Sequence, residues 1–142
     1  MGTLTNPLYG KAPGLGFAGA VQLVDSGEIA VATGDIDAND LVKAFLVKKG
    51  QIVVGALLEA SDIDTNASPL IVLAVGDASD DDRFITASNI GQAGGATQTL
   101  ARTGMFYEFT ADTDIYVKVT TGAATAAAGT IRVGLLLVNA KV

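Results

Sequence analysis

The chain has no cysteine and no histidine among its 142 residues. The first absence excludes disulfides, thiolate zinc sites and thiol nucleophiles. The second removes the commonest general base, the Ser-His and Cys-His pairs, and most transition-metal sites. Tryptophan is also missing, and aromatic residues make up only 6% of the chain. Sugar platforms are usually built on aromatic faces, which leaves Tyr9, Tyr107 and Tyr116 as the amphipathic candidates for one. Charge is scarce too. Charged residues are 17% of the sequence, against about 25% in an ordinary soluble domain. Nine Lys and Arg face 15 Asp and Glu, for a net charge of -6. Cations so few and scattered argue against a nucleic-acid partner, because phosphate contacts need them clustered. No apolar run approaches the roughly 18 residues of a helical membrane span. The opening MGTLTNPLYGKAPGLGF lacks the basic start and long apolar centre of a secretion signal.

What is present is apolar. Hydrophobic residues are 49% of the chain, and its mean hydropathy is positive. Few charges with much apolar surface fit a protein partly covered by copies of itself or by a larger assembly. The length suits one domain, able to bury about two thirds of its unfolded surface without a staple.

The patterning is that of strands. Met1 to Ala20 holds two of the three prolines and several glycines, and reads as an extended N-terminal arm. Residues 21–142 read as one β-domain. The expected strands are Gly27 to Ala32, Leu41 to Val47, Ile52 to Glu59 with a bend at Gly55, Leu70 to Val75, Arg83 to Ala87, Met105 to Phe109, Ile115 to Thr120 and Thr130 to Asn139. In IYVKVT, Ile115, Val117 and Val119 face one way and Tyr116, Lys118 and Thr120 the other. Ile131, Val133, Leu135 and Leu137 form one face of the last strand. Asn89 to Ala101 reads as a long glycine-rich connection. About eight strands and no helix predict an all-β, jelly-roll-like antiparallel sandwich. An immunoglobulin-like sandwich is the alternative.

Three acidic groups invite a chemical reading. In VGDASDDDRFI, Asp77, Asp80, Asp81 and Asp82 stand between two strands. Clustered carboxylates suit calcium; Gly, Asp and Ser equally suit a β-turn. We read a turn, with calcium held by these four as the alternative. A bridge from Arg83 to one of them would be a surface effect worth under about 1 kcal/mol. Asp62-Ile63-Asp64-Thr65-Asn66 begins like a helix–loop–helix calcium loop, then fails at Ala67 and Leu73, where Gly and Glu are needed. Asp35, Asp37 and Asp40 form a third polar turn. Glu59 and Glu108 are the acids within strand patterns, and alternation points Glu108 outward. The glycine runs Gly91 to Gly95 and Gly14 to Gly16 lack the Lys and helix of a phosphate loop. No catalytic constellation emerges, so neither an enzyme nor a cofactor is expected.

VGDASDDDRFI, followed by YEFTADTDIYVKVTTGAATAAAGTIRVGLLLV, is similar to the capsid decoration (cement) proteins of tailed bacteriophages and to jelly-roll modules of phage head fibres. The resemblance covers Leu41 to Val138 and lies in strand-and-turn texture. It implies a structural virion protein on the outer capsid surface that binds across neighbouring major capsid protein subunits. It also implies a homo-oligomer; we expect a trimer before a dimer. The arm would be the clamp, with Leu4, Pro7, Leu8, Tyr9, Leu15 and Phe17 as its contacts. The alternative function is a receptor- or carbohydrate-binding domain of a phage fibre or bacterial adhesin.

Overall fold

The structure, a computed structural model, describes residues 20–140. Nine strands fill it: β1 (Gln22–Asp25), β2 (Ile29–Val31), β3 (Leu41–Val47), β4 (Gln51–Ala60), β5 (Val72–Gly76), β6 (Ile85–Ser88), β7 (Gly95–Thr97), β8 (Thr113–Thr121) and β9 (Gly129–Asn139). Two single 3-10 turns, Thr33–Asp35 and Ile90–Gln92, are the helical elements among the described residues.

The strands pair as nested partners, all antiparallel. β1 and β2 both pair with β9, β3 with β8, β4 with β7, and β5 with β6. A long hairpin folded over on itself gives this nesting, and it is the jelly roll that the strand count predicts. β4 also pairs with β9, and β5 with β8. The result is a five-stranded sheet, with β1 and β2 end to end beside β9, then β4 and β7. The four-stranded sheet runs β3-β8-β5-β6.

The core lies between the sheets. Val53, Ala56 and Leu58 of β4 and Ile131, Val133, Leu135 and Leu137 of β9 face Ile115, Val117 and Val119 of β8 and Leu73 and Val75 of β5, all buried. The period-two readings of β8 and β9 are therefore met. β3 departs from simple alternation. Its register shifts between Lys43 and Phe45, and a bulge of one residue exchanges the faces of everything beyond it. Leu41 and Lys43 point out; Phe45 and Val47, expected on that same side, turn in. β4 bulges between Val53 and Gly55, beside the expected bend.

Three expectations change. β1 and β7 lie where no strand was expected, and β7 falls inside the supposed glycine-rich connection. Met105 to Phe109 is not a strand. Gly104 and Met105 hydrogen-bond back to Ala101, and Phe106 takes φ 58°, which no strand residue does. The segment then makes one bridge to β4, Ile52 to Glu108. Beyond the turn alternation resumes: Phe109 is buried, Tyr107 half-buried and Glu108 exposed.

Candidate functional site

The turn between β5 and β6 lies directly on Gly76. A Cβ there would stand 2.2 Å from the Asp80 carbonyl oxygen and 2.3 Å from the Asp81 carbonyl carbon. Only glycine permits that approach. Asp77 then turns its carboxylate inward. Its Oδ1 accepts the N–H groups of Ser79 (2.9 Å) and Asp80 (3.1 Å) and the Ser79 hydroxyl (2.6 Å). Its Oδ2 accepts Arg83 Nε at 2.7 Å. The guanidinium lies 4.1 Å from the centre of the Tyr107 ring, and Tyr107 meets Phe84 and Phe109 edge-on. Burial pushes the Asp77 carboxyl up, but Arg83 and Ser79 outweigh it and hold it below the ordinary value. The Arg83 bridge is thus no surface effect: the two side chains are 15% and 2% exposed.

The other three acids of the stretch come together. One carboxylate oxygen from each of Asp80, Asp81 and Asp82 lies within 4.8 Å of the others. Crowding against Asp80, with some burial and the Asp81 charge, raises the Asp82 carboxyl. Asp81 is paired with Lys118, and Asp80 lies 3.7 Å from Arg83. Of the four residues considered for calcium, Asp77 is therefore taken into an internal pair, and Asp80 and Asp81 are partly neutralised by Arg83 and Lys118.

A second buried carboxylate comes from the loop after β4. Asp64 Oδ2 accepts the N–H groups of Leu70 (2.7 Å), Ile71 (3.1 Å) and Ala124 (2.9 Å). Its Oδ1 accepts those of Thr125 (2.8 Å) and, more weakly, Asn66 (3.4 Å). One side chain thus ties the loop before β5 to the loop before β9. Desolvation opposes the charge, yet the backbone bonds win and hold the carboxyl well below the usual range. The turn at 35–40 repeats the habit on the surface: Asp35 accepts Ala32 N–H and Asp40 accepts Asp37 N–H.

The two outer sheet faces differ in chemistry. On the four-stranded sheet, Lys43 pairs with Asp114 at 2.8 Å and Lys118 with Asp81. The five-stranded sheet presents rows across its strands. Leu23, Leu136 and Gly55 form one; Asp25, Gly134 and Leu57 the next; Arg132, Glu59 and Ala96 the last. Ile52 and Val138 extend the apolar end. Leu136 lies over Gly55 and Leu23 over Gly134, within 2.7 and 3.0 Å of where a Cβ would be. The leucines therefore lie flat, and the face has low relief. Leu23 is 53% exposed and Val21, just before β1, 56%. Ions appear at one end, where Arg132 pairs with Asp25 at 3.2 Å.

This apolar face was missed from sequence. Its signal was present in Leu136 and Val138, which sit on the alternate positions of a strand whose other positions fill the core. The expected arm contacts, Leu4, Pro7, Leu8, Tyr9, Leu15 and Phe17, lie outside the described residues. The chain leaves the described body at Ala20, beside the apolar end of the face.

No protein-family model matches the sequence, and no curated protein matches it. Two solved structures do. A chain of the capsid asymmetric unit of cyanophage Pam1 is 37% identical over 95% of this chain and 97% of its own, with a TM-score of 0.79. A chain of the capsid of Ralstonia phage GP4 is 28% identical over 86% of both, with a TM-score of 0.76.

Proposed function

Because this chain belongs to a family of bacteriophage capsid-associated proteins and has a structural role in the virion, we propose that it is a decoration protein of the outer capsid surface. It binds across neighbouring major capsid protein subunits and stabilises their contacts. The observation that carries this reading is the 37% identity, nearly end to end, with a chain of a phage capsid. The outer face of the five-stranded sheet supports it: a flat, ion-poor apolar surface suits a broad contact, and a solitary protein rarely leaves one bare. Residues 1–20 form an arm that grips the coat, with Leu4, Pro7, Leu8, Tyr9, Leu15 and Phe17 as its anchors. The ion-paired outer face and the acidic turns face solvent. The protein acts as a homo-oligomer, a trimer in this reading, so that many weak contacts combine.

Co-sedimentation with coat-protein shells assembled without this chain tests the proposal. The full chain pellets with shells at a fixed ratio to coat protein, and deletion of residues 1–20 leaves a folded domain that stays in the supernatant. A full chain that never pellets refutes decoration. A truncated chain that pellets as well as the full one removes the arm from the mechanism.

A further inference from the structure

We propose that Phe106 is an anchor that inserts into an apolar pocket of the coat protein, an inference that rests on the decoration reading. Two independent observations single it out. Phe106 is 71% exposed, while Phe84 and Phe109 are buried and Phe45, Tyr107 and Tyr116 at least half-buried. It also holds φ 58°, a left-handed conformation that a bulky residue rarely adopts.

The fold explains the conformation but not the side chain. Phe106 N–H donates to the Val53 carbonyl at 2.9 Å, and Tyr107 N–H to the Gly104 carbonyl at 3.1 Å. These bonds fix the turn on β4, and glycine or asparagine would make them with less strain. An exposed benzyl group contributes little to the core. Its strain is retained for something outside the chain, as at binding sites generally. A solvent-facing Phe on a bonded turn, with Met105 beside it, 45% exposed, has the side-chain types enriched in interface cores.

Register ties this position to the coat-facing end. Gln22 is paired with Leu137, Leu137 with Val53, and Val53 is bonded to Phe106. That line crosses the end of the five-stranded sheet from the root of the arm to the turn, about 14 Å at three strand spacings. The root of the arm and the aromatic thus stand at opposite edges of the same end of the five-stranded sheet. A partner gripped by one is within reach of the other, which argues for the coat protein as the occupant.

Phe106→Asn and Phe106→Gly test this in the full chain, with thermal unfolding and shell co-sedimentation read together. We expect the melting temperature to rise by about 2–4 °C as strain is relieved. Affinity for shells falls about tenfold or more as the anchor is lost. That opposition is the signature, because a residue serving the fold would lose stability instead. Three results overturn the inference alone while wild-type protein binds shells: undiminished binding of both variants, a lowered melting temperature in both, or a change of oligomeric state, which would make a second copy the occupant. Failure of the wild type itself to bind overturns the decoration reading and this inference with it.

Discussion

Asp64 offers the sharpest test of how this fold is held. Its carboxylate accepts four backbone N–H groups at 3.1 Å or less, and the residue is 1% exposed. Asp64→Ala leaves those donors without partners. A buried unsatisfied donor costs about 1–3 kcal/mol. Loop positions relax and admit some water, so the low end applies, giving about 4 kcal/mol in all. That is a large part of the 5–15 kcal/mol by which an ordinary domain is stable. At roughly 3 °C per kcal/mol for this length, melting falls by about 12 °C. Asp64→Asn keeps the shape and one acceptor but sets an NH2 group against two or three donors, so about half the loss is expected. The pH dependence carries a sign. The folded carboxyl is held below its ordinary 3.8, so its contribution is complete above about pH 4–5 and is lost as pH falls through the folded value. Thermal unfolding between pH 7 and pH 2 reads both effects. Wild type loses stability below about pH 4 more steeply than Asp64→Asn, and the gap between the two curves narrows toward pH 2. A variant within 1 kcal/mol of wild type at pH 7, or parallel pH curves, would refute the assignment of Asp64 as the tie between the two loops.

Other positions make further predictions. Gly76→Ala forces a methyl into the backbone of the 80–81 turn and should cost about 3 kcal/mol in urea unfolding; a neutral result would mean that the turn shifts freely. Arg83→Met strands the buried Asp77 charge and should cost about 3–5 kcal/mol, much of it recovered in the Asp77→Asn, Arg83→Met double variant; an uncoupled double-mutant cycle contradicts the buried pair. Calorimetric titration with calcium should show no saturation below about 0.1 mM, since Asp77 is engaged by Arg83 and Asp81 by Lys118; a tighter isotherm would make Asp80, Asp81 and Asp82 a true ion site.

Much of this architecture was legible in the sequence, and the reasons are local. β8 and β9 alternate cleanly because each has one face in the core and one outside. Gly76, Asp77 and Ser79 marked a turn because glycine, acid and serine stand together at a strand end. The reading of the Arg83 bridge as a surface effect failed, since nothing in Asp77-Ala78-Ser79 says that the Asp77 carboxylate folds inward under an arginine. β7 was hidden by its glycine, and β1 by its proximity to the arm. Met105 to Phe109 misled because aromatic residues favour strands, while Gly104 and the left-handed Phe106 bend the backbone first. Asp64 was weighed only as a metal ligand. Its partners, Leu70, Ile71, Ala124 and Thr125, are brought to it by tertiary contact, which spacing along the chain does not encode.

Electron microscopy of the native particle bears most directly on the claim that the apolar outer sheet face meets the shell. Jelly-roll density is expected on the outer surface, with Leu23, Leu57 and Leu136 against coat protein, residues 1–20 crossing a subunit boundary, and the Lys43–Asp114 face in solvent. Density in which the five-stranded sheet faces solvent and the ion-paired sheet meets the coat would contradict it.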